Sequence, residues 1–342
     1  MSCFVYLCRY YKTVQKEIAN EIKLSVNYKY IGRRKTIKEI LFVSIPMSIA
    51  PIIGGINKNI DSMTIVRNLK KFMSETDAKL QYGILSGKIE TLVAFPLSFN
   101  AAFTSTLIPI VSSAKASRNF KEDKKKIEFS ILISLLIGLP CTIGMIVLAN
   151  PILKLLFPNQ PSGALLLQIS SISITFIMIN QNISAVLHGL GKTIIPALVL
   201  FLGSIIKLIL NNVLVSINPN EFIFGGTAGA AIGTVICNVV TFLISNYILK
   251  KNININIMLT KIVKVITATI MMTVIMIFTY KNLICIISEK LCIILTILVS
   301  IIAYIILILI LKIFSKQEIG LLPFGENIYK ILVKLKIYRE NM

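Results

Sequence analysis

Apolar residues in this chain are gathered into long uninterrupted blocks, with short and mostly basic polar stretches between them. A block of roughly 20 apolar residues is long enough for a helix to cross a bilayer with its backbone polar groups satisfied internally. The pattern predicts eight crossings, over about 39–66, 81–114, 127–149, 164–187, 193–217, 228–249, 263–280 and 284–313. Pro46 and Pro51 predict a kink or break in the first. The second is overlong and carries Pro96 and Pro109, so a tilted or broken helix is expected there. Between these two, 67–80 reads as a short interfacial helix, and 150–163 as a turn with three prolines. The tail 314–342 places Ile328, Ile331, Leu332 and Leu335 at helical spacing among Lys330, Lys334 and Lys336, a pattern suited to a helix lying on an anionic membrane surface.

Before the first crossing, MSCFVYLC is too short to span and has no basic flank of a signal peptide, so it reads as the end of a preceding helix. Residues 9–38 read as a basic cytoplasmic connector.

The hydrophobic fraction of 55% and mean hydropathy of +0.81 exclude a soluble domain. A net charge of +21 would point to nucleic acid in a soluble protein. Here the Lys and Arg sit mostly in connectors, where the positive-inside rule expects them, and no nucleic-acid partner is predicted. The bias between alternate sides puts both termini in the cytoplasm, with 67–79 as its weak point because of Arg67, Lys70, Lys71 and Lys79. No CxxC pair occurs among Cys3, Cys8, Cys141, Cys237, Cys285 and Cys292, and His188 is the single histidine, so neither a metal site nor a disulfide framework is indicated. No Walker loop occurs, and no cofactor is predicted.

A few charges interrupt the blocks. Ionisable groups at membrane depth are costly and face a bundle interior or an aqueous cavity. Lys58 and Asp61, at i and i+3 in the first block, can pair with each other or bind substrate or a coupling ion. Lys207 and Asn211, at i and i+4 in the middle of the fifth, give the best candidate contact for an anionic substrate, set against a structural pair of Lys207 with Asp61 or Glu90. Lys88 and Glu90 do not share a helix face, and Glu90 is a proton-linked site or a neutraliser of a lysine. Asn180, Gln181 and Asn182 suit hydrogen bonds between helices, and GGTAGAAIG (225–233) suits close helix packing. With these cations the cavity is expected to be at least as basic as acidic.

Four segments carry a resemblance. NKNIDSMTIVRNL (57–69), GILSGKIETLVAFPLSFNAAFTSTLIPIVSSA (83–114), LHGLGKTIIP (187–196) and GSIIKLILNNVLV (203–215) follow one another, with GAAIGT (229–234) after them. In that order they resemble the polysaccharide biosynthesis and stage V sporulation protein B family of the multidrug/oligosaccharidyl-lipid/polysaccharide flippase superfamily, to which the lipid II flippases are related. The resemblance covers about 38–250, with His188 standing where the family commonly has glutamine. It implies an all-α polytopic membrane protein: the C-terminal lobe of a MATE/flippase-like fold plus two extra helices. It also implies a preceding N-terminal lobe that this chain does not carry.

The expected organisation is therefore a helix end and connector (1–38), a six-helix lobe (39–250), two additional helices (251–313) and an amphipathic tail (314–342). The implied function is transport rather than enzymatic catalysis: flipping of a lipid-linked oligosaccharide or peptidoglycan precursor, in spore cortex synthesis among other settings, across a bacterial cytoplasmic membrane. Lys207, Asn211, Lys58, Asp61 and Glu90 form the expected substrate-binding set. The expected partners are membrane lipid, the lipid-linked glycan, and a separate N-terminal lobe or a second copy of the chain. Two alternatives stand beside this: a cation-coupled multidrug exporter of the same superfamily, marked by a dominantly acidic cavity, and a non-transporting fragment or assembly protein, marked by the lack of an upstream coding segment.

Overall fold

The computed structural model describes residues 32–117, 120–253 and 259–315, together with isolated positions before residue 32 and Glu318 and Ile319. Cys3, Cys8, nearly all of the 1–31 segment and the tail beyond Ile319 lie outside the described residues. By compactness the chain divides into residues 1–45 and 46–342. In the first unit the described side chains of Ile37, Ile40, Leu41, Phe42 and Ile45 are exposed.

The described residues form helices and no strand. Helix α1 is Arg33–Leu69, α2 Glu75–Gly83, and α3 Glu90–Ser117, with a π-helical turn at Ile84–Ile89 joining α2 to α3. Then follow α4 (Phe120–Val147), α5 (Ala149–Leu156), α6 (Ala164–Ser171), α7 (Ser173–Gly189), α8 (Ile194–Leu214), α9 (Gly226–Asn252), α10 (Leu259–Leu283) and α11 (Glu289–Ile310). Among the described residues seven helical stretches are long and apolar enough to cross a membrane: 75–113, 124–147, 164–189, 194–214, 226–252, 259–283 and 289–310. The expected first crossing falls on α1, which stands outside those seven. It is helical without interruption through Pro46 and Pro51, where a kink or break was expected, although several side chains between Glu39 and Pro51 lie outside the described residues.

Two connectors differ from expectation. The short helix expected over 67–80 occupies only the second half of that segment, as the start of α2. α1 ends at Leu69, and after a turn Ser74 caps α2, its hydroxyl accepting the Asp77 N–H at 3.2 Å. The basic residues that weakened the topology are partly committed there: Lys70 and Lys79 bind Glu75 at 2.5 and 2.7 Å, and Lys71 donates to Ser216 at 2.8 Å. The three-proline segment is not all turn, because α5 forms within it. Pro151 falls in its first turn, where the proline's missing N–H costs no intrahelical bond.

The core is a bundle. α7 packs against α3, α4 and α9; α9 packs against α6, α7 and α8; α10 packs against α4 and α11. Glycines set the closest crossings. A Cβ on Gly189 of α7 would lie 2.7 Å from Val111 Cβ on α3, and one on Gly229 of α9 would lie 2.7 Å from the Leu214 carbonyl oxygen of α8. This bears out GGTAGAAIG as a packing surface. The two glycines of LHGLGK have separate reasons: Gly189 serves the crossing, while Gly191, at φ 75°, ends α7. There the Gly191 N–H reaches the His188 carbonyl and the Lys192 N–H the Leu187 carbonyl, both at 2.9 Å, in a Schellman cap. The two additional helices are fastened by Tyr304, which donates to the Leu136 carbonyl at 2.9 Å, and by a Lys154–Glu289 pair at 3.1 Å. Elsewhere large apolar side chains such as Phe95, Phe201, Ile209, Phe278 and Ile302 are exposed, as lipid-facing positions require.

Candidate functional site

Three elements converge on a cavity of about 200 Å³: the C-terminal part of α1, the π turn with the start of α3, and α8, closed behind by α6, α7 and α9. The π turn decides what faces it. Its i→i+5 bond runs from the Glu90 N–H to the Leu85 carbonyl, which inserts one residue into the turn. Ile89, which a regular helix would set above Leu85, is wholly buried in the core. Glu90 takes the cavity position instead, above Leu85 and below Val93 and Ala94. Gly83 precedes this turn and Gly87 lies within it, both in open space.

Asp61 is buried and lines the cavity. Its carboxylate accepts from the Lys207 ammonium on one oxygen, and on the other from the Asn211 side-chain amide at 2.9 Å. Lys207 and Asn211 lie one turn apart on α8, so one carboxylate bridges both. Asn211 is fully buried, and its Oδ1 has no hydrogen-bond partner among the described residues. The bridge continues along the same helices: Asn68 donates to Asn212 at 3.0 Å, and Lys71 to Ser216. Numbers rise together on both sides, so α1 and α8 run in the same direction, joined by polar side chains rather than by close backbone packing.

Of the expected binding residues, Asp61, Lys207 and Glu90 meet at the cavity, and Asn211 stands behind Asp61. Lys58 does not join them. It is exposed, and Asp61 pairs across to Lys207 rather than with Lys58 one turn away. Glu90 makes no ion pair among the described residues, so it does not neutralise Lys88. That lysine turns to the 157–160 loop, donating to the Gln160 carbonyl at 2.7 Å with its ammonium 5.2 Å from the centre of the Phe157 ring. The wall therefore carries Asp61 and Glu90 against Lys207 among the described residues. This corrects the expectation of a cavity at least as basic as acidic: Lys58 and Lys88 do not line it.

Sequence reasoning missed the polar wall of Ser170, Ser173 and Thr234. The fourth crossing is two helices meeting at Ile172, where the Ser171 and Ser173 hydroxyls bond back to the Leu167 and Ser170 carbonyls at 2.6 Å. The serine cluster SSIS was the available signal.

A second polar group lies apart from the cavity. Asn100 of α3 donates to the Met178 carbonyl at 3.1 Å and to Gln181 Oε1 at 2.9 Å. Ser134 of α4 donates to Asn100 Oδ1 at 2.7 Å. Asn182 of α7 donates to the Ser130 carbonyl at 2.9 Å and accepts from Thr104 at 2.5 Å. The interhelical role expected for Gln181 and Asn182 is realised here, whereas Asn180 Oδ1 and His188 Nδ1 are buried without a partner among the described residues. Cys141, Cys237, Cys285 and Cys292 are free thiols. No cluster able to hold a metal occurs among the described residues.

The all-helical bundle, with membrane-length helices around a charged cavity, is the architecture of a polytopic membrane protein, and the comparisons give its fold. The family model MatE matches residues 82–213. The chain is 27% identical over 190 residues to the uncharacterized membrane protein YabM of Bacillus subtilis, covering 55% of this chain and 35% of YabM. It is 29% identical over 133 residues to the lipid II flippase MurJ of the same organism, covering 37% of this chain and 24% of MurJ. A solved structure of lipid II flippase MurJ in an inward closed conformation superposes with a TM-score of 0.54 at 16% identity, covering 84% of this chain and 57% of that one. The fold is thus MATE/flippase-like, and the matched stretches span less than half the length of these curated relatives.

Proposed function

We propose that this chain is the C-terminal lobe, with two further helices, of a transporter that moves a lipid-linked oligosaccharide or peptidoglycan precursor across the bacterial cytoplasmic membrane, both termini on the cytoplasmic side. The lipid II of the MurJ relative belongs to that substrate class. The observation that carries the reading is the Asp61–Lys207–Asn211 cluster on the cavity wall. A lysine at membrane depth needs an anion, and Asp61 supplies one while the site is empty. A substrate pyrophosphate brings more negative charge and several acceptor oxygens, so it competes for the Lys207 ammonium. Asp61 keeps its Asn211 bond during the exchange. Opening and closing of the α1–α8 contact within this lobe then follows substrate occupancy.

A second reading, a cation-coupled exporter, is favoured by one observation: Glu90 lies unpaired on the wall beside Asp61. Binding of undecaprenyl pyrophosphate and of ethidium to the chain in nanodiscs separates the two. Lys207→Ala is expected to weaken pyrophosphate binding about tenfold, the loss of one charged hydrogen bond. Unchanged pyrophosphate affinity in that variant overturns the flippase reading. Ethidium binding that falls in Glu90→Gln establishes the second.

A further inference from the structure

The consecutive helices α9 and α10 do not pack on each other. α9 leans on α6, α7 and α8, while α10 leans on α4 and α11. The gap between them is a cleft of about 350 Å³, within the size range of ligand pockets. Its floor is apolar, with Ile131 of α4 and Ile179 and Ile183 of α7. One stripe of α9 forms a wall: Phe242, Asn246 and Lys250, each one turn from the next.

That stripe runs from apolar to cationic along the cleft, and its polar end is uncommitted. Neighbouring lysines have partners: Lys192 donates to Asn252, Lys261 pairs with Glu318 at 2.5 Å, and Lys264 donates to the Lys312 carbonyl at 3.3 Å. Lys250 has no ion pair and Asn246 no side-chain hydrogen bond among the described residues, although both face the cleft. The same helix ends carry Lys251 and Lys264, so the rim is strongly positive. An apolar trough ending in an ammonium, a side-chain amide and surplus positive charge matches a molecule with a hydrocarbon chain and a phosphate head.

We infer that the α9–α10 cleft binds an anionic phospholipid, its phosphate on Lys250 and Asn246 and an acyl chain along Phe242 and the α4–α7 floor. Basic pockets between membrane helices recognise such head groups by this chemistry. The site is distinct from the Asp61–Lys207 cavity, and the inference stands whether or not that cavity transports a glycan.

The test uses the full chain in detergent micelles doped in turn with phosphatidylglycerol, phosphatidylcholine, undecaprenyl phosphate or inorganic phosphate. Its readouts are the thermal midpoint and the lipid retained in native mass spectrometry. Phosphatidylglycerol is expected to raise the midpoint and stay bound, and phosphatidylcholine is not. Lys250→Ala is expected to weaken phosphatidylglycerol binding about fivefold, and Lys251→Ala, which removes an equal charge outside the cleft, by less. Ile179→Phe, which fills the trough without altering charge, is expected to weaken it too. Each variant's midpoint in undoped micelles reports its folding separately. Equal retention of the two phospholipids, an unchanged Lys250→Ala affinity, or the same shift from inorganic phosphate alone overturns the inference. Displacement of phosphatidylglycerol by equimolar undecaprenyl phosphate overturns it in favour of a substrate subsite.

Discussion

Where α3, α4 and α7 cross, Asn100, Ser134 and Asn182 are wholly buried and bonded to one another across three closely packed helices. Where α1 passes α8, the polar groups are charged, a cavity opens beside them, and one buried acceptor, Asn211 Oδ1, has no partner among the described residues. The neutral network has nothing to exchange: its side chains bond to backbone carbonyls and to one another inside apolar packing, and separating the helices would strand several donors and acceptors together. On the proposed function the charged contact trades partners, an anion in the cavity replacing Asp61 at Lys207. Burial of polar side chains thus has two uses in one bundle. The network ties three helices to one another, and the α1–α8 contact joins two others through bonds that the proposed ligand would compete for.

The largest effect expected separates charge from shape. Asp61→Asn keeps the size but leaves Lys207 without its counter-ion, and is expected to lower stability by about 3 kcal/mol. Lys207→Met in the same background should restore most of that loss, because the stranded charge is gone. A double-mutant cycle read by unfolding in mixed micelles measures the coupling. A coupling near zero would mean that the pair contributes no more than an exposed one, and the contrast with the neutral network would fail.

Next comes the network itself. Asn182→Leu removes bonds to Ser130, Ser134 and Thr104 inside the helix packing, with an expected cost of about 2 kcal/mol. Its effect should add to that of Asp61→Asn, since the two groups share no partner. Substrate binding at the cavity should be unchanged, which ligand titration of the variant checks.

The crossings were legible in the sequence because a bilayer imposes one simple rule, apolar length. Seven of the eight expected blocks coincide with the apolar helices, several within a few residues. Asp61 and Lys207 were legible for the same reason, being charges inside apolar blocks. What the blocks did not reveal was register. The π turn moves Glu90 to the cavity and Ile89 to the core, and no periodicity count contains that extra residue; only the overlong second block and Gly83 with Gly87 hinted at it. Nor did sequence choose between Lys58 and Lys207 as the partner of Asp61. The first is nearer along the chain, but α8 brings the second across. Asn100, Ser130 and Ser134 were silent individually, since an isolated Asn or Ser in an apolar run becomes informative only when another helix supplies its partner.

A smaller effect tests how far the charged contact depends on its backing. Gly229→Ala would place a methyl 2.7 Å from the Leu214 carbonyl oxygen, pressing α9 away from α8. Overpacking of this kind is expected to cost about 1.5 kcal/mol. The helix displaced is the one that carries Lys207 and Asn211. The cost should therefore be non-additive with Lys207→Met and additive with Asn182→Leu, as three unfolding midpoints would reveal.

The smallest effect concerns another ion pair, at the start of α10, which shows what such a contact does near the end of a crossing. Glu318 accepts from Lys261 at 2.5 Å and from the Ser315 N–H at 2.8 Å, while its own N–H donates to the Ser315 hydroxyl at 3.4 Å, a capping box where the tail begins. Burial raises the Glu318 carboxyl pKa, but the hydrogen bonds from Lys261 and Ser315 outweigh it and hold the group below its ordinary 4.5. A carboxylate depressed on folding stabilises the fold above its unfolded pKa, and the contribution disappears as pH falls through the lower folded value. Stability should therefore gain nothing further from this group above about pH 5 and fall below it. The loss should be roughly 0.5 kcal/mol, because solvent screens the pair. Glu318→Gln should flatten that acid limb. Thermal midpoints of both proteins between pH 3 and pH 7 check the sign, and an acid limb that persists in Glu318→Gln would assign it to another carboxylate.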